Sequence, residues 1–310
     1  MASIRSRIVR YFSGQYMRRI TPDRDVHKMR AGLEYRGTLL PPANGVDIQA
    51  TTIDGIHCEW HVPAGCENAP VIYYLHGGIY IMGSPASHRR LVSYIAKQAG
   101  MRAVVPDYRL APENRFPAAL EDSLTVWRRL LQDGIDPSAL AMGGDSAGGN
   151  LATATMLALR DADEALPAAC FLLSPWLDMT NDGESRRSRA GIDPWFNPDH
   201  VPASAAKMFS EFELRNPLVS PVFAEATGLP ATLIQVGDHE ILLSDSTRMA
   251  KNIEQAGGDV QLEIWPHMWH VFQFFIGQMP ESMQAIENIG QFLRSEFFSD
   301  QLESQKDQAA

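Results

Sequence analysis

At 310 residues the chain can bury a full core, and one large α/β domain with an insertion fits that length as well as two domains do. A formal charge of −10 and a pI near 5.4 argue against nucleic acid or an anionic membrane as the main partner. Three cysteines, Cys58, Cys66 and Cys170, match no metal or disulfide spacing and read as free thiols of a reducing compartment. With no run of 18 apolar residues and no secretory signal pattern, a cytoplasmic protein without stable membrane insertion is expected.

Residues 1–45 carry helical patterns broken at Gly14, Pro22 and the Pro41-Pro42 pair, a cover rather than part of a sheet. Its opening stretch is basic, with Ile4, Ile8, Val9, Tyr11 and Phe12 on roughly one face; a packing helix is expected in preference to a membrane-surface one. Val46 to Thr52 and His57 to Val62 flank Asp54-Gly55, a strong hairpin signal. His57 and His61 share a face of the second strand but stand about 13 Å apart, too far for one ion, so solvated surface histidines are expected.

From there apolar runs alternate with helical patterns, the signature of crossover units and a parallel sheet. Pro70 to Leu75, Arg102 to Val105, Leu140 to Gly143, Ala168 to Leu173, Ala231 to Val236 and Val260 to Trp265 supply strands three to eight. Between them lie a helix over Arg89 to Gln98, one opening with Pro117 at its first position, and an Ala-rich one over Asn150 to Leu159; a last helix, Met283 to Phe298, covers the sheet. One stretch breaks the rhythm. Residues 182–216 begin charged, then carry Trp195, Phe196, Phe209 and Phe212 among prolines, reading as a cap insertion packed with the N-terminal segment over the carboxyl ends of the strands.

Ligands of open α/β sheets bind beyond those carboxyl ends. After strand five comes Gly144-Asp145-Ser146-Ala147-Gly148, with Ser146 on a strand-to-helix turn, the context that G-x-S-x-G requires. Strand seven is followed by Asp238, Glu240 and Asp245, and strand eight by His267 and His270. The order serine, acid, histidine is that of a hydrolase of this architecture, with oxyanion donors from the loop after strand three. His239-Glu240 does not open a zinc-protease helix, because Leu243 stands where His-Glu-x-x-His needs its second histidine.

HGG at His76 to Gly78, PDYRLAPE at Pro106 to Glu113, GDSAGGN at Gly144 to Asn150, SPWLDMT at Ser174 to Thr180 and WPHMWHVF at Trp265 to Phe272 resemble the hormone-sensitive-lipase-like branch of the α/β-hydrolase carboxylesterases. The resemblance implies an eight-stranded, mostly parallel sheet flanked by helices, with residues 1–45 and 182–216 as a helical cap and 46–181 with 217–310 as the catalytic domain. It implies Ser146 as nucleophile, His270 as base from His-x-Phe, and Glu240 where the family has the aspartate of Asp-Pro-Leu, with Asp238 as the alternative acid. His267 is then a surface or supporting residue, and Asp245 a charge at a helix start.

The oxyanion loop would supply N–H groups of Gly78 and Ile79, joined by Ala147, with Gly77 aiding the turn. Ile79 departs from the family's His-Gly-Gly-Gly, and lower activity or a narrower acyl choice is expected from it. Trp195, Phe196, Phe209 and Phe212 are expected around the substrate. Asp107, Tyr108, Arg109, Glu113 and Asp145 are expected to brace the scaffold. The function implied is a serine esterase of short- to medium-chain esters acting through an acyl-enzyme, without metal or cofactor, as a homodimer. An amidase of the same fold is the first alternative. The second, a small-ligand receptor on this fold, would be expected to lack the histidine present at His270.

Overall fold

Two antiparallel strands, β1 (Val46–Ile53) and β2 (Ile56–Pro63), open the sheet, joined by Asp54 and Gly55, both at positive φ as a tight two-residue hairpin loop requires. The computed structural model describes residues 2–17, 24–200, 205, 207–209 and 213–299. β2 pairs antiparallel with β4 (Arg102–Pro106). From β4 onward every pairing is parallel, through β3 (Val71–Leu75), β5 (Leu140–Asp145), β6 (Ala169–Leu173), β7 (Ala231–Gly237) and β8 (Val260–Trp265). The order is β1-β2-β4-β3-β5-β6-β7-β8, so the expected eight-stranded, mostly parallel α/β-hydrolase sheet is the one found.

β3, β5 and β6 are buried along their whole length, as continuous apolar runs covered on both faces must be. One core lies between the sheet and α4 (Ala118–Gln132), α5 (Ala147–Asp161) and α7 (Leu243–Gln255). The other lies under α3 (Pro85–Ala99) and α8 (Pro280–Phe297), where Leu91, Ile95, Ile286 and Leu293 meet Ile72, Val105 and Phe171. A short helix, α6 (Ser185–Ser188), lies between β6 and β7.

Several local expectations change. α3 starts at Pro85, a turn before Arg89, because Ser84 and Ser87 form a reciprocal capping box. Pro117 caps α4 from outside instead of occupying its first turn. α1 (Ile4–Met17) runs through Gly14, whose bare Cα lets Pro194 approach; a Cβ there would meet its carbonyl oxygen at 3.1 Å. α1 does pack, through Ser6, Gly14 and, of the expected apolar face, Val9, leaving Ile4, Ile8, Tyr11 and Phe12 exposed. Pro22 lies outside the described residues. α2 (Val26–Leu39), capped by Asp25, completes the N-terminal pair.

His61 is not a solvated histidine. α3 crosses that face of β2, pairing Arg89 with Glu59, and His61 is fully buried with both ring nitrogens unpartnered. Burial pushes its pKa down to about 4, so it stays neutral. His57, four residues away, is exposed.

Candidate active site

Ser146 follows β5 directly and precedes α5, with φ 53 and ψ −119, a strained conformation for a residue with a side chain. Three backbone bonds over-determine it: Ser146 N–H donates to Leu173 O at 2.9 Å, and Ser146 O accepts from Trp176 N at 3.0 Å and Asn150 N at 3.2 Å. The flanking glycines are forced by crowding, since a Cβ on Gly148 would lie 2.0 Å from Leu75 O and one on Gly144 2.5 Å from Gly148. The serine thus sits at the N-terminus of a 15-residue helix, where the peptide dipoles favour a developing anion.

The loop after β3 wraps around the same point. Gly77 N–H donates to Asp145 Oδ1 at 2.9 Å, so Gly77 shapes the turn and its N–H is committed. Among the described residues, Gly78, Ile79 and Ala147 N–H groups have no protein acceptor. Ile79 and Tyr80 hold φ of 58 and 56. For a β-branched residue the left-handed region costs about 1–2 kcal/mol, which is the physical content of the glycine that Ile79 replaces.

Of the residues expected to brace the scaffold, Tyr108 contacts the oxyanion loop directly, whereas Asp107 bonds through its backbone N–H to His57 O at 2.8 Å. Tyr108 stacks on His76 at 4.2 Å and donates to His76 O at 2.6 Å, while Arg109 pairs with Asp122 and Glu113 with Arg30. His76 is fully buried, which drives its pKa down to about 3. Burial works against the Asp145 carboxylate, yet His88, the Tyr74 hydroxyl and Gly77 N–H together keep its pKa below the ordinary value.

The turn after β7 and the loop after β8 meet beside this loop. Glu240 Oε2 lies 3.1 Å from His270 Nδ1, and both residues are buried. A carboxylate only accepts, so it keeps the proton on Nδ1 and leaves Nε2 to face a substrate. Glu240 Oε1 accepts from Ser174 Oγ at 2.7 Å and from Gly237 N at 2.6 Å, and Ser174 Oγ in turn accepts from Val271 N at 3.0 Å. Ser174 therefore ties the carboxylate to the histidine loop, a role sequence reasoning missed because SPWLDMT marks the strand end and not the contact.

Asp238 points elsewhere: it accepts from His267 N at 2.5 Å and lies beside His239, with His267 exposed. Asp245 stands in the first turn of α7 but does more than meet the helix dipole. It accepts from Leu177 N and Asp178 N and pairs with Arg186 at 3.1 Å. Asp193 was also missed: one oxygen accepts from Trp195 N and Phe196 N, the other from Ile241 N, tying residues 193–196 to the turn that carries Glu240.

Ser146, His270, Gly77, Gly78 and Ile79 line one cavity of about 680 Å³, walled by α1, α2, Trp195, Phe196, Phe274 and Phe275. Phe196 and Trp195 meet the His270 ring edge-on, with centroids 4.7 Å and 6.1 Å away. Phe209 is not at this cavity; it packs edge-on against Tyr80, centroids 5.8 Å apart, in a separate small void with Phe116. Phe212 lies outside the described residues.

A family model described as alpha/beta hydrolase fold matches residues 72–274. An acetyl-hydrolase of Streptomyces hygroscopicus is 40% identical over 241 residues, 77% of this chain and 80% of that protein. An esterase of Acinetobacter venetianus is 35% identical over 268 residues, 86% of this chain and 88% of that protein. Among solved structures, an esterase from the bacterial hormone-sensitive lipase family superposes with a TM-score of 0.91 at 40% identity, covering 96% of this chain and 100% of that one. The chain belongs to the alpha/beta hydrolase fold family. Within it, this protein is a carboxylic ester hydrolase of the hormone-sensitive-lipase-like branch.

Proposed function

We propose that Ser146, His270 and Glu240 carry out hydrolysis of short- to medium-chain esters through an acyl-enzyme. The observation that carries this reading is the 3.1 Å contact of Glu240 with His270 beside a cavity that the histidine shares with Ser146. Ser146 Oγ attacks the ester carbonyl while His270 Nε2 takes its proton; the same proton passes to the departing alkoxide. Water, deprotonated by His270, then releases the acid. Glu240 stabilises the imidazolium formed at each step. The N–H groups of Gly78, Ile79 and Ala147 face the oxyanion, each worth about 3 kcal/mol in the transition state. Residues 1–45 and 182–216 serve as the cap, and the remainder as the catalytic domain.

The presence of His270 favours an enzyme over a receptor on this fold. Ester over amide chemistry is supported by relatives described as esterases and by a 36% identical structure, EstE5, soaked with p-nitrophenyl butyrate. A cytoplasmic location rests on free thiols at Cys58, Cys66 and Cys170. The homodimer is taken to form along β8, one of the sheet's two edge strands.

Turnover of p-nitrophenyl butyrate tests the assignment. Ser146→Ala should lose on the order of 10⁶ in kcat and Glu240→Ala about 10⁴, with Asp238→Ala near wild type. If Asp238→Ala is the crippled acid variant, Glu240 is the wrong acid.

A further inference from the structure

The charge of −10 is unevenly spread along the chain. Residues 1–40 carry nine Lys and Arg against three Asp and Glu, and the remainder carries 18 against 34. A basic N-terminal segment therefore joins an acidic body. The whole-chain figure, which argued against an anionic membrane, averages the two.

α1 lies in the basic segment with its polarity reversed. A helix packing on a globular core turns its large apolar residues inward. Here the buried positions are Ser6 and Gly14, with Val9 half-buried, whereas Ile4, Ile8, Tyr11 and Phe12 are each more than half exposed. Their spacing puts these four on one face of the helix. Arg5 and Arg7 flank that face on its two sides, both exposed, while Arg10 is turned back onto Ile192 O.

The face is continuous with the catalytic cavity. Ile8 and Phe12 line that cavity as well as the surface, together with Lys28 and Arg36 of α2, which are also exposed. The Arg36 guanidinium lies over the Tyr16 ring, 3.2 Å from its centroid. Apolar walls edged by cations thus lead from the outer face of α1 towards Ser146, which lines the same cavity.

An apolar, basic face calls for an apolar, acidic partner. A protein surface seated on Ile8 and Phe12 would shut the cavity, whereas a lipid surface would leave it open to an apolar phase. At 14 residues α1 is shorter than the roughly 20 apolar residues that span a bilayer, and its arginines suit the interface, where such a helix lies flat.

We propose that the outer face of α1 docks this protein on an anionic lipid bilayer. Ile4, Ile8, Tyr11 and Phe12 enter the headgroup layer, and Arg5, Arg7, Lys28 and Arg36 meet the lipid phosphates. Docking requires no particular reaction at Ser146, so it is read without turnover.

The purified full-length protein is sedimented with vesicles of phosphatidylcholine alone and with vesicles in which about a third of it is replaced by phosphatidylglycerol. Most of the protein should pellet with the anionic vesicles and little with the neutral ones, and raising salt from about 0.05 to 0.5 M should lower the bound fraction at least several-fold. Arg5→Gln combined with Arg7→Gln, and Ile4→Ser combined with Tyr11→Ser, should each weaken binding at least about tenfold. None of these four residues lines the catalytic cavity, so hydrolysis of dissolved p-nitrophenyl butyrate should stay near wild type in both variants and report that they fold. Failure of the wild type to pellet with anionic vesicles, or equal pelleting with neutral ones, would overturn the proposal. So would a wild-type dimer that Ile4→Ser with Tyr11→Ser converts to monomer without any vesicle binding, since the face would then belong to a second copy.

Discussion

Single residues carry the strain and the polarity of this site. Ser146 and Ile79 both hold backbone at positive φ, and three backbone hydrogen bonds fix Ser146 there. Glu240 falls where the family motif it resembles has its acid, but its environment comes from Ser174, 66 residues away, a contact with no local signature. Ser174→Ala removes one donor to the carboxylate and the acceptor of Val271 N–H. A hydrogen bond to a charged group is worth about 1.5–3 kcal/mol. Steady-state kinetics should therefore show kcat lower by about 10- to 150-fold with KM little changed, and Ser174→Thr should recover part of it. A rise in KM at constant kcat would point to substrate binding and away from positioning of Glu240.

At the scale of elements, the turn after β7 is pinned from two sides, by Ser174 at the end of β6 and by Asp193 ahead of Trp195. Asp193 accepts three backbone N–H bonds yet is nearly fully buried, and desolvation dominates, pushing its pKa up to about 6. An unfolded aspartate titrates near 3.9, so between about pH 4 and 6 the folded chain binds the extra proton, and stability falls as pH rises through that window. The penalty reaches about 3 kcal/mol above the folded pKa. Urea unfolding of Asp193→Asn against wild type should show the difference moving in favour of the variant by up to about that amount between pH 4 and 7. A difference independent of pH would mean that Asp193 is not the group titrating. The pairing of Asp193 with residue 241 was invisible in the sequence because both partners are loop residues, and loop contacts follow no period. The aromatics of residues 182–216 show the same limit: Trp195 and Phe196 reach His270, whereas Phe209 turns towards Tyr80.

For the whole molecule, β8 forms an open edge, with Ile264 45% exposed. An exposed apolar edge strand is a site for pairing with another chain. Light scattering on the eluting protein should give twice the monomer mass, and Ile264→Lys should shift it towards monomer; a monomeric wild type would end the dimer proposal.

The strand runs, the Asp54-Gly55 hairpin and the strand-to-helix turn that carries Ser146 were legible in the sequence alone, since each depends on local patterning or backbone permissiveness confined to a few adjacent residues, whereas for the acid the sequence left Glu240 and Asp238 as alternatives. Only the tertiary structure decided that His61 is buried under α3, that α1 packs through Ser6 and Gly14, and that Phe196 meets His270 while Phe209 packs on Tyr80. Those outcomes depend on which surfaces meet across long stretches of chain, where the side chains that collide or fit are set by packing in three dimensions and leave no mark in local order.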